Sequence, residues 1–158
     1  MTNTRKSLIW LSAAFLLLTL QFIWSNSARD AVASTAQSDA VGIWMERLFD
    51  VTREPFRFFY DNRRKLAHFA EFFLLGTEME LWLRANGKCT LFSRLAGVGF
   101  SLAAAAMDET IQLFSRGRVA SLLDVALDFC GAFVGLWLCF GVFHLFSKKS
   151  QFAHQTTD

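Results

Sequence analysis

The feature that most constrains this chain is an uninterrupted apolar block near its start: Leu8 to Trp24 runs 17 residues without a charge, a glycine or a proline, preceded by Arg5 and Lys6. A helix of this length just suffices to cross the hydrocarbon core of a bilayer. Three further blocks follow, Leu66 to Leu83, Leu91 to Met107 and Val119 to Phe146. With 53% hydrophobic and only 19% charged residues, the apolar excess falls into blocks rather than the narrow stripes of a soluble helical domain. The expectation is an all-α, four-span transmembrane helix bundle, with residues 1–158 as one membrane domain. Ala31 and Ala33 form the A-x-A pattern of a signal-peptide cleavage site. The apolar block exceeds the usual signal core and the pattern stands far from it, so the first span reads as a retained anchor.

Between the first two blocks lies a polar stretch, Ser25 to Lys65. Its first part, to Ala40, is small and polar and reads as a loop. From about residue 41 to 64 the character changes: Ile43, Trp44, Leu48 and Phe49 alternate with Glu46, Arg47 and Asp50, and Pro55 opens a run with Phe56, Phe58, Phe59 and Tyr60. This predicts one or two amphipathic helices in the headgroup plane, where aromatic rings prefer to sit. Cys89, Cys130 and Cys139 show neither a CxxC pair nor zinc spacing, which excludes a disulfide or zinc scaffold. The net charge of +2, without an extended basic patch, gives nucleic acid no footing as a partner.

Orientation follows from the basic residues of the short segments. Arg5, Lys6, Arg84, Lys88, Arg94, Lys148 and Lys149 share one side if both termini are cytoplasmic, against Arg116 and Arg118 on the other. The seven basic residues of the long first loop weaken the bias without reversing it, because most are interleaved with acids or adjoin the second span. This makes the chain multi-pass, with the start of the second span, the end of the third and the start of the fourth facing outward.

Those three outward ends carry most of the ionisable residues of the spans. Lys65, His68 and Glu71 occur at i, i+3 and i+6 on one helical face; Asp108, Glu109 and Gln112 close the third span; Arg118 precedes the fourth, followed by Ser121, Asp124 and Asp128. Charged groups at such depth are costly and usually face a bundle interior or a water-filled cavity. Gly131 and Gly135, with Gly97, Ser101 and Ala105 on the third span, supply small surfaces for close helix approach. The expected result is a single outward-opening polar cleft.

The strings KLAHFAEFFLLG (Lys65 to Gly76), DETIQLFSRGR (Asp108 to Arg118) and SLLDVALDFCGAFVG (Ser121 to Gly135) resemble the K-x-x-H-x-x-E, D-E-x-x-Q and R-x-x-S-x-x-D-x-x-x-N-x-x-G patterns of the VanZ-like family. These are small bacterial membrane proteins named after a member linked to teicoplanin resistance. The resemblance covers roughly residues 60 to 140 and implies a bacterial membrane location. One position departs: where the family often has Asn, this chain has Asp128, which adds a carboxylate.

Several chemistries fit such a cleft. For catalysis on a cell-envelope lipid or lipid-linked precursor, His68, Glu71, Asp108, Glu109 and Asp124 are the candidate acid, base and orienting groups. Lys65, Gln112, Arg118, Ser121 and Asp128 are the candidate substrate contacts, with Arg118 suited to a phosphate or carboxylate. One histidine among carboxylates would also suit a hard divalent ion, Mg²⁺ or Mn²⁺, as cofactor. Without turnover, the basic mouth would recognise anionic membrane lipids. The plainest alternative is that His68–Glu71 and Arg118–Asp124 pair and merely hold the bundle together. Glu80 with Arg84 reads as a surface ion pair near the inner interface, and Glu78 as a helix–helix hydrogen bond. The tail from Ser147 onward reads as disordered. Oligomeric assembly stays open.

Overall fold

In the computed structural model the described residues are 3–119 and 121–155, with the side chains of 148–155 excepted. They form six helices: α1 (Asn3–Ser27), α2 (Ala31–Leu48), α3 (Phe56–Asp61), α4 (Arg63–Ala85), α5 (Leu91–Leu113) and α6 (Leu122–Gln155). No strand occurs among the described residues. Three helices are long and apolar enough to cross a membrane: α1, α5 and the part of α6 from Leu122 to Ser147. The second expected span, α4, has the length at 23 residues, but its Arg, Lys, His and Glu side chains leave it too polar to stand with those three on composition alone.

The contacts explain this polarity. The buried apolar core joins Leu16, Leu20 and Ile23 of α1, Phe72, Leu75, Met79 and Leu83 of α4, Ala104 and Ala105 of α5, and Ala132 and Leu136 of α6. Helix α4 packs against each of the other three long helices. It is therefore the central element, and polar groups on it meet protein rather than lipid. Large exposed apolar side chains are many on α1, α5 and α6, such as Trp10, Leu17, Phe92, Leu138 and Phe146, and α4 adds Leu74 and Leu81, the arrangement expected where the outward solvent is hydrocarbon.

Successive long helices run antiparallel. Arg5 at the start of α1 donates from Nε to the carbonyl of Ala85 at the end of α4 (3.1 Å), whereas Asn26 near the end of α1 reaches Glu71 near the start of α4. Helices α4 and α6 run parallel and touch backbone to backbone. A Cβ on Gly76 would stand 1.9 Å from the Ala132 carbonyl oxygen, and one on Gly135 2.1 Å from that of Phe73. The small residues expected to permit close approach do so here, joined by Gly76 from the opposite helix. Gly87, with φ +70°, ends α4: the Lys88 N–H turns back to the Leu83 carbonyl (2.8 Å), a closure that favours glycine.

Two expectations need correction. The segment to Ala40 is not a loop: α2 begins at Ala31, where the Asp30 carboxylate accepts the Ala33 N–H (2.8 Å). Asp30 is an effective N-cap, and the small residues after it include neither glycine nor proline until Gly42. The tail is helical from Ser147 as far as Gln155, because α6 continues past its apolar block without a breaking residue; the remainder of the expected disordered tail lies outside the described residues.

Candidate functional site

The antiparallel arrangement brings the end of α1, the start of α4, the end of α5 and the start of α6 together at one end of the bundle. His68 projects from the second turn of α4, Asp108 from the last third of α5 and Asp128 from the second turn of α6. One donor atom from each can be chosen so that all three lie within 4.8 Å of one another. The His68 Nδ1 stands 3.8 Å from Oδ2 of Asp108 and 3.8 Å from Oδ2 of Asp128. Both acids are essentially inaccessible, at 0% and 1% exposure. These separations exceed a hydrogen bond, so the three side chains face one another without closing a contact.

Around this centre the neighbours are tied back. Gln112 donates from Nε2 to Oδ2 of Asp108 (2.9 Å), one helical turn away. Glu71 accepts from Asn26 Nδ2 (3.1 Å), and Arg118 donates from Nη2 to the Asn26 carbonyl (3.4 Å). Glu109 accepts the backbone N–H of Ser121, which holds the start of α6 against α5. The Ser121 hydroxyl has no part in these contacts. The loop between α5 and α6 is fastened to α1 and α2 by Ser115 Oγ on the Ser27 carbonyl (2.9 Å) and by the Ala31 N–H on the Arg116 carbonyl (3.0 Å).

Above the centre opens a cavity of about 190 Å³ whose walls include Arg64, Lys65, His68, Gln112, Arg118 and Asp124. A second, of about 90 Å³, adjoins it toward α2 and shares Arg64, His68 and Arg118. The mouth is thus cationic and the floor acidic. Burial, reinforced by the neighbouring Arg64, pushes the Arg118 pKa down from its ordinary value, while Asp108 and Glu109 push it back up. The guanidinium nevertheless stays charged at neutral pH, and two of its nitrogens, Nε and Nη1, are buried without a hydrogen-bond partner. A partly desolvated cation with spare donors beside a second cation is an arrangement that an incoming anion relieves.

Every residue proposed from the sequence for the cleft lies in this end of the bundle, but the pairings differ from the simplest ones. Neither His68–Glu71 nor Arg118–Asp124 appears among the hydrogen bonds and ion pairs of the described residues; His68 faces Asp108 and Asp128 instead. Sequence spacing does not single out Asn26, Ser27 or Arg64, which the fold adds to the site. Asn26 and Ser27 end the first apolar block on the side that the topology assigns to the cleft, and Arg64 adjoins Lys65, so placement relative to the span ends is the signal that could have found them.

At the opposite end Glu80 departs from expectation. It has no exposed surface and receives a two-pronged contact from Arg94 of α5, Nε to Oε2 at 2.9 Å and Nη2 to Oε1 at 3.0 Å, besides Arg84 at 2.8 Å. It is a buried cross-helix network rather than a surface pair. Glu78 behaves as expected, accepting a helix–helix hydrogen bond from Thr19 of α1 (3.0 Å).

A protein-family model described as VanZ/LLP1 matches residues 10–146, a range that takes in the cleft and all but the ends of α1 and α6. No curated protein and no solved structure matches the chain.

Proposed function

The chain belongs to the VanZ/LLP1 family, and from that premise we propose that it is a four-span protein of the bacterial cytoplasmic membrane whose outward cleft binds the phosphate-bearing headgroup of a cell-envelope lipid or lipid-linked precursor. The observation that carries this reading is the cleft itself, with Arg64, Lys65 and Arg118 at its mouth. An exposed cationic mouth at the end of the spans stands at headgroup depth, where anionic lipids are the concentrated ligand.

The packing supports four spans rather than three. Helix α4 at 1.5 Å per residue is about 35 Å long, and it lies along α1 from end to end. Wherever α1 crosses, α4 occupies the same slab. In this reading α2 and α3 lie at the interface, with Val41, Trp44, Phe49, Phe58 and Phe59 on their exposed surface. The basic-residue bias supports cytoplasmic termini and hence an outward cleft.

Binding is favoured over covalent chemistry through a hydroxyl or thiol because no serine, threonine or cysteine lines the cavity of about 190 Å³ among the described residues. The bundle-holding alternative is not better supported: its two expected ion pairs are absent among the described residues, and Glu71, Glu109 and Arg118 instead join helix ends through single hydrogen bonds. The reading extends to teicoplanin susceptibility, which sequestration of a lipid-linked precursor would alter.

The test is co-purification of lipid with full-length protein in detergent, read by native mass spectrometry. Arg118→Gln and Lys65→Gln should each reduce retained phosphate-bearing lipid several-fold while the protein still accumulates in membranes. Unchanged retention in both would remove the headgroup reading. Conversion of labelled envelope lipids to a new product by the wild-type protein would replace binding with catalysis.

A further inference from the structure

Below the cationic mouth, the three side chains at the cleft floor have the spacing of a ligand set rather than of a hydrogen-bond network. We infer that His68, Asp108 and Asp128 form a binding site for one divalent cation of the Mn²⁺ class.

Three observations converge. The first is orphaned polarity: His68 Nδ1, Asp108 Oδ1 and Asp128 Oδ1 are all buried without a hydrogen-bond partner, and both aspartates are more than nine-tenths buried. Buried donors and acceptors are almost always paired. Three side chains that each carry an orphaned atom and stand together within 4.8 Å indicate a partner that is not protein.

The second is geometry. Two ligands bound at about 2.1 Å stand about 3 Å apart at right angles and about 3.6 Å apart at 120° around a metal. The 3.8 Å from His68 Nδ1 to each carboxylate therefore needs only a small inward movement to close on an ion. Gln112 supplies a supporting contact, holding Asp108 through Oδ2 as outer-shell partners of metal ligands do.

The third is charge. Glu71, Asp108, Glu109 and Asp124 all lie close enough to Asp128 to interact with it electrostatically, whereas the cations around the same cavities are Arg63, Arg64, Lys65 and Arg118, of which Arg63 is paired with Asp39 (2.7 Å). With all groups ionised and the Arg63–Asp39 pair set aside as neutral, the five acids exceed the three remaining cations by two charges, and one divalent ion cancels that excess. An imidazole nitrogen with two carboxylate oxygens suits Mn²⁺ better than Mg²⁺, which prefers oxygen and water. Three protein ligands leave positions free toward the cavity. That a lipid phosphate oxygen takes one of them rests on the headgroup reading above; the metal site itself does not.

The experiment uses full-length protein in a phosphate-free, lipid-free nonionic detergent, stripped with chelator and titrated with Mn²⁺ alone while free Mn²⁺ is followed by electron paramagnetic resonance. About one ion per chain should bind, with nitrogen coupling from His68 in the pulsed spectrum. Asp128→Asn, isosteric and free of the Gln112 contact, should weaken binding at least tenfold, and His68→Gln should abolish the nitrogen signature; Glu78→Gln, at a buried carboxylate outside the site, should change neither. Absence of binding to the wild-type protein, or equal affinity in Asp128→Asn with the nitrogen coupling retained in His68→Gln, would overturn the proposal. Elution volume and thermal midpoint establish that each variant is folded. Intact Mn²⁺ binding together with lipid retention indifferent to Arg118 and Lys65 would remove the headgroup reading and leave the metal site standing.

Discussion

Glu80 and Arg94 show what a single buried charge demands of its surroundings. Arg94 is 6% exposed, its guanidinium lies 4.1 Å from the centre of the Phe140 ring, and its remaining Nη1 donates to the Cys89 carbonyl (2.9 Å). Removing one member of such a pair leaves an uncompensated charge, which typically costs about 3–5 kcal/mol. Arg94→Met should therefore lower stability by about that amount, whereas Arg84→Met, at a more exposed side chain, should cost about 1 kcal/mol or less. The double variant Glu80→Met with Arg94→Met should be more stable than Arg94→Met alone, because it removes both charges. Thermal unfolding in detergent checks all three, and a double variant no better than the single one would show that the unpaired Glu80 charge is not what destabilises Arg94→Met. Sequence spacing exposes only the i, i+4 partner on the same helix, Arg84. Arg94 sits on another helix, and nothing in linear order brings it to Glu80. His68 is legible in kind but not in pairing for the same reason: its spacing to Glu71 is visible along one helix, its approach to Asp108 and Asp128 only after three helices pack.

At the scale of the elements, the contact between α4 and α6 sets the site. Phe69 and Phe73 of α4 meet Gly131 and Gly135 through their backbone carbonyls, and His68 and Asp128 lie immediately beside this seam. A methyl group at Gly76 or Gly135 has no room against backbone. Gly76→Ala and Gly135→Ala should each destabilise by about 1–3 kcal/mol through overpacking, and should weaken any ligand of the His68–Asp128 centre by moving the helices apart. Gly99→Ala and Gly141→Ala meet nothing within 4 Å and should be neutral or stabilising by up to about 1 kcal/mol, since alanine is the better helix former. Unfolding midpoints across the four variants decide the matter: equal effects at all four would show that helix propensity, not close approach, governs them. The pair Gly131 and Gly135 is readable as a small-residue face; its partner is not, because Gly76 sits in a helix whose polar content hides its central position. The start of α2 is likewise hidden, since Asp30 acts through a cap geometry while the residues after it look like loop composition.

For the whole molecule, the decisive property is which way the bundle points. The contacts of Arg5 with Ala85 and of Ser27 with Gln112 and Ser115 sort the helix ends into two groups, one bearing the acidic floor and cationic mouth, the other the Glu80 network and the turn at Gly87. The proposed ligand is available to the cleft only if the first group faces outward. Cys89 is exposed in the turn of the second group, and Arg116 lies in the loop of the first, so α5 separates them; Arg57 and Cys89 are separated by α4. With Cys130 and Cys139 replaced by alanine, a membrane-impermeant maleimide applied to intact cells should leave Cys89 unlabelled until the membrane is permeabilised. Arg57→Cys and Arg116→Cys, each in a chain also carrying Cys89→Ser, should label from outside at once. Labelling of Cys89 from outside with Arg57→Cys and Arg116→Cys protected would invert the protein and exclude an outer-leaflet ligand. Labelling of Cys89 on the same side as Arg57→Cys would show that α4 does not cross. The second outcome would run against the packing, because α4 contacts α1, α5 and α6, the three helices apolar enough to cross, and Glu71, Glu78 and Glu80 on it take hydrogen bonds from α1 and α5.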